Sequence, residues 1–352
     1  MKVLFVYKEL SAQIGGGVFT QVILKTLRSL DCELLELSFP DYKNNLEKTR
    51  NQLKDYTKGM TAEVESQINA AIKENAIDTI VFNSSNYGNV IARIKKKHPE
   101  IRTICIFHNV EYNFVLNAVK VRKSLFSLMT LLVVWRNEKN TIKFTDTILA
   151  LNERDSHSLY ARYNRQADAI LPLCLEDRFD SSKLKASGGS KVGAFIGSNF
   201  YANNKGIKWF CENVSNKIDC KILVIGKGFE NEKVYFSHYP NIQLIGSVPV
   251  IDNYYYDVDF VISPIFDGSG MKTKTAEALM FGKTIFGTKE AFEGYSLDFD
   301  RVGALCNNAE TFIKEINSYD CTKGRYNDYN RTVFLENYSI NTLVNKLKEI
   351  LD

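Results

Sequence analysis

The chain has 352 residues, more than one hydrophobic core comfortably fills, so two domains are expected. Hydrophobic residues make up 45% and charged residues 24%, which excludes a disordered chain. Its 45 basic and 41 acidic residues leave a net charge of +4, too even to point to nucleic acid.

Along the chain, MKVLFVYKEL carries only a short apolar run and lacks the long hydrophobic stretch and cleavage site of a signal peptide, so it reads as a first strand. A polar loop with Gly15-Gly16-Gly17 and a helix over VFTQVILKTLRSL follow, then the strand ELLELSF. Residues 41–61 are weakly patterned and expected to be loop or irregular helix, and TAEVESQINAAIKENA is a helix with Thr61 as its N-cap. Next come the strand TIVFN, a helix over VIARIKKKH, whose three lysines suit a solvated helix end, and the strand RTICIFHN. TDTILALN and ADAILPL are further strands around the polar helix ERDSHSLYARYNRQ.

The eleven residues LFSLMTLLVVW, 125–135, are too short to span a bilayer, and no run of 18 apolar residues occurs elsewhere. Lys120, Arg122, Lys123, Arg136 and Lys139 flank them, so this segment reads either as a buried helix or as one lying on an anionic membrane surface. Seven scattered cysteines without a CxxC pair argue against a metal knuckle or disulfide framework and for reduced, buried thiols in a cytosolic protein.

A second alternating set begins after the polar linker EDRFDSSKLKASGGS, residues 176–190. KVGAFIG, KILVIG, NIQLIG, DFVISP and TIFGT are strands; KGIKWFCENV, TAEALMFG and AETFIKEINSY are helices. The expected fold is α/β, with two doubly wound Rossmann-like domains facing across a cleft. The boundaries expected are 1–172 for the first domain, 173–190 for the linker and 191–325 for the second domain. Residues 326–352 would form terminal helices free to pack back on the first.

Chemistry concentrates at strand ends. In SPIFDGSGMKTKTAEALMFGKTI, residues 263–285, the turn Gly268-Ser269-Gly270 follows a strand that Pro264 helps to end, and a helix starts near Thr273. Lys272 and Lys274 bring cations to a helix N-terminus, where the dipole disfavours them unless an anion binds. One intervening residue turns them apart on a helix, and Lys274 is favoured as the ligand contact. Glu277, one turn on, can accept from sugar hydroxyls or simply stabilise the first turn. Lys205, placed before a helix, is either a second phosphate clamp or a surface lysine. His108 ends a strand and suits proton exchange or hydrogen bonding, whereas His98, His157 and His238 read as structural or solvent-facing. Gly15-Gly16-Gly17 fits neither GxGxxG nor a Walker A loop, and remains either a phosphate-approach turn or a tight turn. No HxxxH, HExxH or GxSxG arrangement occurs, so neither a catalytic metal nor a serine elbow is expected.

The order and spacing of FIGSNFYANNKGIKWF, ILVIGKG, IQLIGSV and DFVISPIFDGSGMKTKTAEALMFGKTIFGT, together with FHNVEY and TDTILALNERD, resemble the retaining GT-B glycosyltransferases of family 4. The resemblance implies an acceptor-binding first domain and a second domain that binds a nucleotide-sugar, UDP- or GDP-linked, with no cofactor and no metal. By it, Lys205 and Lys274 hold the diphosphate, Glu277 the donor ribose, and His108 the donor sugar near the reaction centre. Gly16 and Gly17 let the diphosphate approach the backbone, and Ser198, Gly268, Ser269, Gly270, Met271, Lys272 and Thr273 complete the binding loops. Two positions depart from the pattern. Ser198 stands where many members have arginine, and Ser269 where many have an acid eight residues before the glutamate, with Asp267 two residues further away.

The activity implied is hexosyl transfer to a glycan or lipid-linked glycan in bacterial surface polysaccharide synthesis, in the cytoplasm or at the inner membrane face. A non-catalytic nucleotide-sugar-binding subunit and a GT-B epimerase or phosphorylase are the competing readings.

Overall fold

Strand β1, Lys2–Lys8, buries Val3, Leu4, Phe5 and Val6 completely, so both faces of its sheet must be covered by other elements. A computed structural model of the protein describes residues 1–10, 15–121, 125–186 and 189–352. It divides into two units, Met1–Pro172 with Leu343–Asp352, and Leu173–Thr342.

In the first unit β1 is followed by α1 Gly15–Ser29, β2 Glu33–Phe39, α2 Asn45–Gln52, α3 Ala62–Asn75 and β3 Thr79–Phe82. Then come α4 Gly88–Lys97, β4 Arg102–Phe107, α5 Glu111–Val121, α6 Leu125–Phe144, β5 Thr147–Ala150, α7 Glu153–Tyr163 and β6 Ala169–Ile170. Among the described residues the strands form one sheet in the order β2-β1-β3-β4-β5-β6, parallel at every pairing. The core packs Leu4, Val6, Ile80, Phe82, Cys105 and Phe107 from the strands against Ile68, Ile72, Ile91 and Ile94 from α3 and α4. Each such side chain, fully buried, is worth roughly 1.5–3 kcal/mol. The Arg102 guanidinium donates to the carbonyls of Ile350 and Leu351 at 2.6 and 3.0 Å, fastening the chain's last turn to β4.

The second unit contains β7 Val192–Ile196, α8 Tyr201–Asn213, β8 Lys221–Ile225, α9 Lys233–Phe236, β9 Ile242–Gly246 and α10 Asp252–Asp257. It continues with β10 Phe260–Ser263, α11 Thr273–Met280, β11 Thr284–Gly287, α12 Phe299–Val302, β12 Gly303–Leu305, α13 Ala309–Ser318, α14 Asp328–Val333 and the start of α15 Ile340–Leu351. Its sheet, again parallel, runs β12-β11-β10-β7-β8-β9. The core gathers Phe195, Ile222, Val224, Phe260, Ile262 and Phe286 with Phe210, Phe229 and Phe312.

Several local expectations change. α1 begins at Gly15, so the three glycines form the first helical turn rather than a preceding loop. Within 41–61 there is a regular helix, α2, because the Asn44 side chain accepts from Glu47 N at 2.9 Å and caps it. Thr61 caps α3 in the same way. α8 begins at Tyr201, which places Lys205 inside the helix and not ahead of it. The strand expected over ADAILPL shortens to Ala169–Ile170. The lysine run ending α4 is not simply solvated: Lys95 Nζ meets Asp146 at 2.9 Å and two carbonyls. The apolar run at 125–135 falls in the first half of the 20-residue α6. It buries Val133 and Val134 but leaves Leu128 and Leu132 each 53% exposed. Arg122 and Lys123 of its expected basic flank, and residues 187–188 of the expected linker, lie outside the described residues. Among the described residues no cysteine forms a disulfide, and Cys105, Cys174, Cys211 and Cys306 are buried. Among the described residues no helix is long and apolar enough to cross a membrane.

Candidate functional site

Each strand order reverses once, and the crevice at such a reversal, at the carboxyl ends of the strands, is where doubly wound sheets bind ligands. In the second unit the reversal lies between β7 and β10, which continue into the loops 197–200 and 264–272. Gly206 lets α8 pack onto the second loop, since a Cβ there would stand 2.0 Å from the Pro264 carbonyl oxygen. Gly270, at φ +63, turns the chain into α11 in a conformation that side-chain-bearing residues resist.

α11 starts without a side-chain cap at Lys272; the Thr275 amide turns back to the Lys272 carbonyl at 2.9 Å, leaving the Thr273 and Lys274 amides available at the crevice. Its second residue is Lys274, whose half-buried ammonium donates to Asn203 Oδ1 and lies 5.3 Å from the Phe195 ring. Asn203 is held in turn by donating to the Ser198 carbonyl at 2.8 Å. Burial, and then the Lys272 ammonium, push Lys274 down to about 7, against the pull of Glu277. Among the described residues Lys274 has no ion-pair partner. Lys272 differs: its ammonium bonds Glu290 Oε1 at 2.7 Å and the Gly270 carbonyl at 2.8 Å, bracing the turn.

Thr273, the first residue of α11, and Ser269 are half-buried, Gly268 is exposed, and Met271 is buried with its sulfur accepting from Leu173 N at 3.3 Å. Ser198 is exposed and takes part through its carbonyl. Lys205 is also exposed, and its ammonium is paired to Asp267 Oδ2 at 2.5 Å. The nearest acid to the Ser269 position is thereby engaged by a lysine.

Glu277 does not stand alone. Arg178 Nη2 lies 3.3 Å from Oε1, Tyr255 Oη donates to Oε2 at 3.3 Å, and Arg178 also grips Asp252 at 3.1 Å. Burial raises the Glu277 pKa, and the Arg178 guanidinium opposes that shift. Asn203, Arg178 and Tyr255 were not singled out from the sequence. A buried tyrosine and an arginine 99 residues from its carboxylate give no local signal.

In the first unit the reversal lies between β1 and β3. His108, after β4, has its Nε2 2.8 Å from Asn83 Oδ1, and Asn83 follows β3 directly. Asn83 Nδ2 donates to Thr20 Oγ1 at 2.9 Å, and Thr20 donates to the Gly16 carbonyl at 2.7 Å. Gly17 is buried in the same first turn of α1. Burial lowers the His108 pKa to about 4, with Glu111 pulling the other way, so the ring is neutral at pH 7. The fully buried Glu138 carboxylate accepts from Glu111 N at 2.6 Å, Tyr112 N at 3.2 Å and Tyr163 Oη at 2.8 Å, fixing the chain just after His108. Of the other histidines, His98 bonds Asn69 and His238 a carbonyl of its own turn. Among the described residues no group of three or more His, Cys, Asp or Glu side chains could hold a metal ion.

Comparison with known proteins adds a match to a family profile over part of the chain, and a fold. The family profile described as Glycosyl transferases group 1 matches residues 190–319, which span both loops of the second-unit crevice. No curated protein matches the sequence. Among solved structures, Anabaena HepE in complex with UDP aligns with TM-score 0.70 at 12% identity, covering 100% of this chain and 99% of its own. Its complex with UDP-glucose gives 0.67 at 10% identity over 99% of both chains. The apo form of the lipopolysaccharide outer core galactosyltransferase WaaB gives 0.68 at 13%, covering 100% and 99%. A glycosyltransferase from Rickettsia africae gives 0.67 at 16%, covering 99% and 97%. The fold is GT-B, built from two Rossmann-like units.

Proposed function

We propose that this protein is a retaining, metal-independent glycosyltransferase that moves a hexosyl group from a nucleotide-sugar to a glycan or lipid-linked glycan acceptor. The observation that carries the reading is Lys274: a half-buried ammonium without a carboxylate partner among the described residues, at the uncapped start of α11 and the reversal of the sheet. A cation in that position is stabilised by a diphosphate, whose oxygens also suit the free amides of the helix.

In this reading the second unit binds the donor. Lys274 and the α11 amides take up charge that develops on the diphosphate as the bond to the sugar C1 breaks. Lys205 adds a mobile cation by exchanging Asp267 for phosphate, and Glu277 accepts from the ribose hydroxyls. The acceptor hydroxyl bonds to C1 on the face the diphosphate leaves, and its proton passes to the departing phosphate oxygen. His108, in the first unit, is a hydrogen-bonding group for a substrate sugar.

A UDP-sugar is the favoured donor, supported by the UDP and UDP-glucose complexes of HepE; a GDP-sugar is the alternative. The likeness to WaaB supports a role in bacterial surface glycan synthesis. For a lipid-linked acceptor, α5 and α6 offer an apolar groove of about 350 Å³ lined by Tyr112, Leu128, Leu131, Leu132 and Trp135. Arg136 and Lys139 on α6 suit the anionic inner face of a cell membrane, where the protein would work from the cytoplasm.

The test is calorimetric titration with a panel of nucleoside diphosphates and nucleotide-sugars, with donor hydrolysis followed in parallel. Selective binding of one nucleotide-sugar with slow hydrolysis is expected. Binding without turnover across candidate acceptors would replace the transferase by a nucleotide-sugar-binding subunit.

A further inference from the structure

The hydrogen bonds around His108 run in one direction only. A carbonyl oxygen cannot donate, so the 2.7 Å contact between Thr20 Oγ1 and the Gly16 carbonyl takes the threonine hydrogen. The hydroxyl oxygen then accepts at its lone pair, and its neighbour at 2.9 Å must be the Asn83 NH2. That orients the amide with Oδ1 toward His108, and an oxygen acceptor 2.8 Å from Nε2 requires Nε2 to carry the proton. Reversing the amide would set two oxygens against each other at the Gly16 end, with no hydrogen between them. Thr20 and Asn83 are only 2% and 8% exposed, so water competes poorly for these bonds. Phe19, edge-on to the imidazole with centroids 5.7 Å apart, restricts the ring further. Among the described residues Nδ1 has no hydrogen-bond partner.

We infer that Asn83, oriented by Thr20, is a positioning residue that holds His108 as the Nε2–H tautomer and presents Nδ1 as a hydrogen-bond acceptor. The ring then accepts from a substrate hydroxyl and disfavours a carboxylate or carbonyl in its place, since two acceptors would meet without a proton. The tautomer follows from this geometry alone; its use on a substrate sugar rests on the transferase reading. The contacts to His108 from α1 and from the residue after β3 come from the uncharged Phe19 and Asn83, and the charged group acting on it is Glu111 of α5.

The experiment is nitrogen NMR of the ligand-free, full-length protein labelled at histidine, with His108→Asn to assign the resonances. Wild type should show Nε2 protonated and Nδ1 bare from pH 6 to 8. Asn83→Asp keeps an acceptor for the same proton, so the tautomer persists while the His108 pKa rises by about 1–3 units. Thr20→Val, nearly isosteric, frees the amide to rotate and should give a mixture of tautomers, as should Asn83→Leu if it folds. An Nδ1–H tautomer in wild type, or an unchanged signature in folded Thr20→Val, would overturn the inference. Because the readout needs no ligand, its failure is distinct from a failure to bind nucleotide-sugars, which the donor panel reports separately.

Discussion

Replacing Lys274 by methionine tests the proposed donor site most directly, because the side chain keeps the apolar stem and loses only the ammonium. At an effective dielectric of about 20, two unit charges about 4 Å apart interact by about 4 kcal/mol. Allowing for desolvation, the loss to diphosphate binding should be about 2–4 kcal/mol, or roughly 30- to 1000-fold in Kd. The fold should not suffer. The ammonium's pKa lies near 7 in the folded chain against an ordinary 10.5, so keeping it charged costs stability. That cost is full below about pH 7 and disappears as the pH rises through 10.5. Lys274→Met should therefore melt at the same or a higher temperature at pH 6, with any gain gone above pH 10.5.

The same shift gives calorimetry a second signal. Near pH 8 the free protein holds Lys274 mostly neutral, and a bound diphosphate restores its charge, so binding should take up close to one proton. With a nucleotide-sugar as titrant, whose diphosphate does not titrate in this range, the binding enthalpy would then vary with the ionisation enthalpy of the buffer at pH 8, not at pH 5.5, and not in Lys274→Met at either pH. A variant that binds the selected nucleoside diphosphate within about threefold of wild type would refute the reasoning. So would a wild-type enthalpy independent of buffer at pH 8.

Arg178→Ala should weaken nucleotide binding about tenfold, and increasingly as the pH falls, because burial then drives Glu277 toward its neutral form unopposed; an affinity ratio that does not change with pH would count against that role. Lys205→Ala should cost no more than about 1 kcal/mol in stability, its pair with Asp267 being exposed, and less donor affinity than Lys274→Met; an equal or greater loss would reverse the ranking. Leu132→Asp, at a position 53% exposed, should change stability by less than about 0.5 kcal/mol and abolish binding to anionic liposomes, whereas unchanged binding would remove the membrane contact.

The alternation of apolar runs with helical patterns was enough to read two parallel sheets, because strands covered on both faces have few polar interruptions. Helix starts were harder. α8 opens after Phe200 with no side-chain cap, so nothing in the sequence marked Tyr201 as the start. α2 did carry a signal, Asn44 three residues before Glu47, but its weak apolar periodicity hid it. Helix geometry led to the expectation that the two lysines of the 263–285 stretch point apart, whereas their partners could not be read from the sequence. Glu290 and Asn203 meet Lys272 and Lys274 only once β10, β11 and α8 are in register. Asn83 is similar: 25 residues from His108, it becomes a neighbour because β3 and β4 pair side by side. Polar residues directly following a fully buried strand are the signal that would have found it.

Among the described residues Lys274 shares with Lys283 a pKa pushed down to about 7 by burial, but the fold gives it fewer acceptors than the other withdrawn cations of its unit. Arg325 sits 2.9 Å from the fully buried Asp259, Arg331 is paired to Asp177, and Lys272 to Glu290 at 2.7 Å. Lys283, 1% exposed, donates to the carbonyls of Val258 and Arg325. In each case the charge meets acceptors that the fold itself supplies, as the cost of removing an ion from water requires. Lys274 meets one neutral amide, next to a second lysine and a helix N-terminus that both repel it. A fold gains nothing by keeping a cation there, since methionine would fill the same space without the desolvation penalty. The arrangement becomes favourable when an anion supplies the missing charge, and a diphosphate satisfies the ammonium and the free amides of α11 together.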